Sequence, residues 1–142
     1  MMEIVEKELP EDGYPDLRDI VPLIPDNDWC WWVLEVEALG LADSVIEELF
    51  GECASSQPVR PGITWPDVVR LAAAIRQSID MLLVATRSEE DYVKEELDRD
   101  DFSRCLVMFR IFDSGEASLG VSDDLAGGKE ILESFLALWD KR

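Results

Sequence analysis

The spacing of apolar and polar positions marks out most of the elements of this chain. Residues 29–38 read Trp-Cys-Trp-Trp-Val-Leu-Glu-Val-Glu-Ala. Aromatic and β-branched side chains at this density predict a strand. Period two places Trp32, Leu34, Val36 and Ala38 on one face and Trp31, Val33, Glu35 and Glu37 on the other. A helix is the rival reading, because Trp29, Trp32, Val33 and Val36 also fit helical spacing. Ala42, Val45, Ile46, Leu49 and Phe50 follow a helical repeat over residues 41–50, and Gly51 stands where a helix-ending glycine belongs.

Thr64 opens the clearest helix. It is a good cap, Pro66 falls in the first turn where a missing N–H costs little, and Asp67 occupies the capping-box position. Val68, Leu71, Ala72 and Ile75 form the apolar stripe of that helix. Met81 to Ala85 predicts a short buried strand, and Ser88 a cap for an acidic helix running to Leu97, with Asp91 at its box position. Arg104 to Phe112 predicts a strand, Asp113 to Glu116 a turn, and Ala117 to Val121 the returning arm of a hairpin. A last helix runs from Gly128 to Trp139, with Leu132, Phe135, Leu136 and Trp139 on one stripe. Residues 1–28, punctuated by five prolines and glycines among acidic residues, read as an irregular acidic arm that Ile20, Val21, Leu23 and Ile24 pin to the body. This order of elements predicts a single α+β domain over residues 1–142. Its antiparallel or mixed sheet has about four strands, and helices pack mainly on one face.

Composition changes the picture in three ways. The chain has no histidine, which removes Ser-His-Asp and Cys-His catalysis, histidine-ligated metals and imidazole pH switching. Its net charge is −19, and the first sixty residues hold 15 of the 32 acidic side chains but only 3 of the 13 basic ones. Such a surface repels phosphate backbones and anionic lipid, so neither nucleic acid nor membrane is an expected partner. It speeds encounter with basic surfaces, although solubility alone also explains high charge. Cys30, Cys53 and Cys105 share no Cys-x-x-Cys spacing and read as reduced, which fits the cytoplasm. Met1 to Lys7 is acidic on balance with no apolar stretch behind it, so no secretory leader is expected.

The candidate motifs mostly fail. Gly127-Gly128-Lys129 invites a phosphate-loop reading, but Asp123 stands where its first glycine belongs and Glu130 where the magnesium-binding hydroxyl belongs. Calcium loops starting at Asp26 or Asp98 would put Trp31 or Ser103 at the obligatory glycine. Ser118 lacks nucleophile-elbow spacing. No cofactor or metal site is expected, and no residue is assigned to catalysis.

Two carboxylate groups remain. One is Asp26 and Asp28 beside Trp31, where an aromatic ring could anchor a contact. The other is Glu89, Glu90, Asp91, Glu95 and Glu96 within a run of eight carboxylates between Glu89 and Asp101. The plainer accounts are that all three tryptophans are core and that the acidic run is a solvated face. The reading that uses these features is a small acidic protein-binding module that docks on a basic partner. Inhibitors of the immunity type, which neutralise nucleases built to hold phosphates, follow that logic of charge and size. The alternatives are an enzyme working with carboxylates alone, which is disfavoured, and a structural or self-associating protein without chemistry.

Dense like charge destabilises a compact state, and ions screen it. The midpoint of thermal unfolding at neutral pH should therefore rise as sodium chloride is raised from low to moderate concentration. A midpoint that stays level or falls would show that the acidic side chains are already compensated by internal ion pairs.

Overall fold

The computed structural model describes residues 2–9, 15–40 and 62–140. Among these, five strands form one antiparallel sheet: β1 (Met2–Glu8), β2 (Cys30–Leu39), β3 (Gln77–Thr86), β4 (Val107–Phe112) and β5 (Glu116–Ser122), in the order β1-β5-β4-β3-β2. Four helices accompany them: α1 (Leu17–Ile20), α2 (Trp65–Ala74), α3 (Lys94–Asp98) and α4 (Gly128–Asp140). The architecture is the expected α+β, with five strands in place of about four. The helix expected over 41–50, and Cys53, lie outside the described residues.

The additional strand is β1, inside the arm expected to be irregular. Its seven residues pair with β5 along their whole length, from Met2 opposite Ser122 to Glu8 opposite Glu116. Val5 packs on the main core. The indole N–H of Trp139 on α4 donates to the Glu8 carbonyl at 3.0 Å, and the Lys7 ammonium lies 5.8 Å from the centre of the same ring. The last helix thus holds the first strand in place. Farther along the arm, Asp16 caps α1 and is buried, with three donors on its carboxylate: Leu17 N–H at 2.6 Å, Ser78 N–H at 2.7 Å and Ser78 Oγ at 2.7 Å. That network moors α1 to β3.

The two sheet faces carry different cores. One packs α1, α2 and α4 against the sheet through Leu17, Val68, Leu71, Phe109, Leu119 and Phe135, among others. The other is smaller: Trp32, Leu82, Val84 and Met108 from the sheet meet Tyr92, Leu97, Phe102 and Cys105 from the segment that includes α3. The helices are therefore mainly on one face, as expected.

Strand β2 departs from simple alternation. Val33 lies opposite Leu83 but Glu35 lies opposite Leu82, which leaves Leu34 as an extra residue in a bulge. Before the bulge, Trp31 and Val33 face the helices and Trp32 faces away. After it, Val36 and Ala38 face the helices, and Glu35 and Glu37 face away. The expected grouping of Trp32 and Leu34 with Val36 and Ala38 is thus corrected at Leu34.

Two helix expectations are also revised. The acidic helix from Ser88 to Leu97 is split into a 3-10 turn at Glu89–Asp91 and α3, with extended backbone at Tyr92. The Tyr92 ring turns inward and stacks on Trp32, 4.4 Å between centres, and a continuous helix would not deliver it there. On α4 the buried stripe is Ile131, Leu132, Phe135 and Leu138, while Leu136 is exposed. The Thr64 cap stands as expected, with its N–H and hydroxyl both directed at Asp67 Oδ2. The β4–β5 hairpin closes through a turn in which Asp113 and Ser114 both have positive φ, 48° and 56°, and Gly115 N–H donates to the Phe112 carbonyl at 3.0 Å.

Phe109, Leu132 and Phe135 are buried. Phe135→Ala should cost about 3–5 kcal/mol in chemical denaturation, whereas Leu136→Ala on the same helix should cost under about 1 kcal/mol. Equal losses at the two positions would mean that α4 presents a different face to the sheet.

Candidate functional site

One member of each carboxylate group singled out in the sequence, Asp28 and Glu89, lies at the same corner of the sheet. Cys30 opens β2 directly opposite Thr86, the last residue of β3. The Trp32 indole N–H donates to Thr86 Oγ1 at 3.0 Å, and Thr86 Oγ1 donates to the Ser88 carbonyl at 2.7 Å. These bonds bring the turn bearing Glu89, Glu90 and Asp91 beside the start of β2. The Cys30 thiol registers the result. Its pKa is raised, first by partial burial and then by the charges of Glu89 and Asp28. Residues sixty positions apart thus share one electrostatic neighbourhood.

The neighbourhood continues around Cys105. Burial pushes that thiol up to about 12, with Asp101, Glu96 and Asp91 adding to the effect. Both thiols are free, and Cys105 is far from the thiolate state that nucleophilic chemistry needs. Arg104 stands among the same carboxylates and donates through Nε to Glu96 Oε1 at 2.6 Å and Oε2 at 3.0 Å. Lys94 pairs with Asp98 at 2.8 Å, and Arg110 with Asp100 at 2.8 Å. The partnership with Arg110 lowers the Asp100 pKa. Its stabilising contribution is present above the ordinary aspartate value and is lost as pH falls through the lower folded value. Asp100 is exposed and Arg110 only half-buried, so this contribution is small.

The individual residues divide as follows. Asp26, Asp28, Glu89, Glu90 and Glu95 are exposed. Asp91 is half-buried, with Ser88 Oγ 3.4 Å away, and Glu96 is half-buried and paired with Arg104. Trp31 is 1% exposed, its ring 5.2 Å from that of Trp65 and its N–H donating to Asn27 Oδ1 at 2.9 Å. It is an interior residue, and the expectation that it anchors a partner is withdrawn. The ring of this cluster that reaches the rim is Trp29, half-buried and 6.0 Å from Trp31. Trp29 lies just ahead of β2, where strand alternation does not govern side-chain direction. Its position is set by Asn27, whose Oδ1 accepts from the Trp29 backbone N–H at 3.3 Å. That Asn-x-Trp turn was the available signal.

A cavity of about 220 Å³ lies elsewhere, at the start of α4, between Glu3, Asp123, Lys129 and Glu130. All four of these side chains are exposed. Among the described residues no group of three or more cysteine or carboxylate side chains is arranged to hold a metal ion. No helix among them is long and apolar enough to cross a membrane. Comparison with protein-family models, curated proteins and solved structures finds no match.

Proposed function

We propose that this chain is a protein-binding module of the cytoplasm that docks on a basic partner, in the manner of an inhibitor or immunity-type protein. The observation that supports this reading is geometric: the pairing of Cys30 with Thr86 and the Thr86–Ser88 hydrogen bond set the turn that carries Glu89 beside the start of β2, two residues from Asp28. Exposed carboxylates held together on the end of a rigid sheet create a field that steers a cationic surface and fixes its orientation. Trp29 at the rim supplies apolar contact of the kind that slows dissociation. Of the cations nearby, Lys94, Arg104 and Arg110 are each engaged by a carboxylate of the segment between Glu89 and Asp101. They leave Asp28, Glu89 and Glu90 without an ion-pair partner among the described residues.

The test is to isolate the binding partner at low salt, establish its charge, and measure association and dissociation rates. Asp28→Asn combined with Glu89→Gln should slow association and flatten its dependence on ionic strength, while Trp29→Ala should mainly speed dissociation. An acidic partner would overturn the reading. So would an association rate insensitive to salt between about 0.05 and 0.3 M.

A further inference from the structure

Among the described residues, cover for the sheet face that carries Trp32 extends over only half its length, and the other half presents a row of carboxylates about one exposed aromatic ring. Cross-strand partners share a face, so the pairing registers define this row. Glu8 lies opposite Glu116, Glu116 opposite Phe112, and Asp80 opposite Glu37. Alternation along β3 and β4 places Phe112 and Asp80 on the same side as Leu82, Met108 and Arg110. Phe112 is 66% exposed, the highest value among the exposed large apolar side chains of the described residues. Glu8, Glu116 and Glu37 are exposed, and Asp80 is half-buried where it accepts the Asp113 N–H at 2.8 Å.

Single exposed apolar residues are ordinary on protein surfaces. This one differs in its surroundings. It is flanked on each side by two carboxylates directly opposite one another, Glu8 with Glu116 and Glu37 with Asp80. Like charges in that position oppose sheet formation. None of the four carboxylates has an ion-pair partner among the described residues. The free protein therefore holds two repulsive pairs about an aromatic ring, and a cation bridging the row would relieve both.

We propose that this open half-face is a second docking surface and that its occupant is an arginine-bearing segment of a basic partner protein. Charge complementarity commits the occupant to a cation. A second copy of this chain, at −19, would add to the repulsion. Arginine fits better than lysine because its planar guanidinium stacks on a phenyl face while its fork reaches flanking carboxylates. The inference rests on the reading that the partner is basic, and it names a surface separate from the Asp28–Glu89 corner.

Nonaarginine and nonalysine peptides, titrated into the isotope-labelled protein at about 0.15 M salt and followed by backbone amide shifts, test it. Nonaarginine should shift the amides of Phe112, Glu116, Glu8, Asp80 and Glu37 and bind more tightly than nonalysine. Phe112→Ala should weaken nonaarginine about threefold and nonalysine less. Glu37→Gln with Glu116→Gln should weaken both peptides while raising the midpoint temperature of the free protein. Since all three side chains are exposed, the spectra of these variants should keep the native pattern away from the row. Shifts confined to the neighbourhood of Asp28 and Glu89, with no effect of Phe112→Ala, would overturn this surface and leave the basic-partner reading standing. Failure of both peptides to bind would overturn the two together.

Discussion

One extra residue in one strand governs the layout of this molecule. The bulge at Leu34 lets β2 feed apolar side chains to the helix layer along its whole length, first Trp31 and Val33, then Val36 and Ala38. Its other face changes character at the same point, from Trp32 to Glu35 and Glu37. Without the bulge, with Leu34 paired as a regular rung, strict alternation would turn the two glutamates toward α1, α2 and α4. Burying an unpaired carboxylate costs far more than a bulge does.

The division made by the bulge spreads across the sheet. Beside Trp32, the strands offer Val84 and Met108, and the segment from Tyr92 to Cys105 closes over them. Beside Glu37, they offer Asp80, Phe112, Glu116 and Glu8, and Phe112 is exposed. The covering segment is acidic, yet it keeps its own cations: Lys94 and Arg104 pair within it, and Arg110 reaches Asp100 from β4 with its guanidinium 5.6 Å from the Phe102 ring. Three of the carboxylates of that segment are thereby paired, while Asp28 and Glu89 at the corner and the four carboxylates of the open row have no ion-pair partner among the described residues. A surface of that kind works against the stability of the free chain. The account of a binding module gives that opposition a purpose.

The strands and helices with strong local signals were legible in the sequence. Thr64 with Asp67, the aromatic run from Trp29, and the Asp113–Glu116 turn each act through near neighbours. What was not legible depends on distant ones. Met2–Glu8 has no clean alternation, because Ile4 and Val5 are adjacent, and it becomes a strand through β5 and Trp139. Charged side chains on such an edge strand guard it against pairing with other chains, and they also disguise it. Tyr92 leaves the helical path for the Trp32 ring, sixty residues earlier in the chain. Of the candidate residues, the exposure of Asp26, Asp28, Glu89, Glu90 and Glu95 followed from their charge. The interior position of Trp31 did not, since two adjacent tryptophans on opposite faces are both buried only where both faces are covered. Phe112 escaped notice because a phenylalanine at the end of a strong strand reads as core, and only the sheet registers place it on the open half.

The central claim is that the bulge at Leu34 assigns the acidic and apolar halves of β2 to their faces. Deleting Leu34 tests it most directly, with Leu34→Ala as the companion that removes the side chain and keeps the residue. The account predicts that the deletion keeps a cooperative unfolding transition in denaturant, because Glu35 already lies opposite Leu82, the neighbour of Leu83, and removing the extra residue leaves Glu35, Glu37 and the Trp31–Trp32 pair on their present faces. Leu34→Ala should retain a cooperative transition with a modest loss of stability. A deletion variant that loses its cooperative transition while Leu34→Ala keeps it would contradict the claim, since it would make Leu34 a paired rung whose removal turns Glu35 and Glu37 toward the helices.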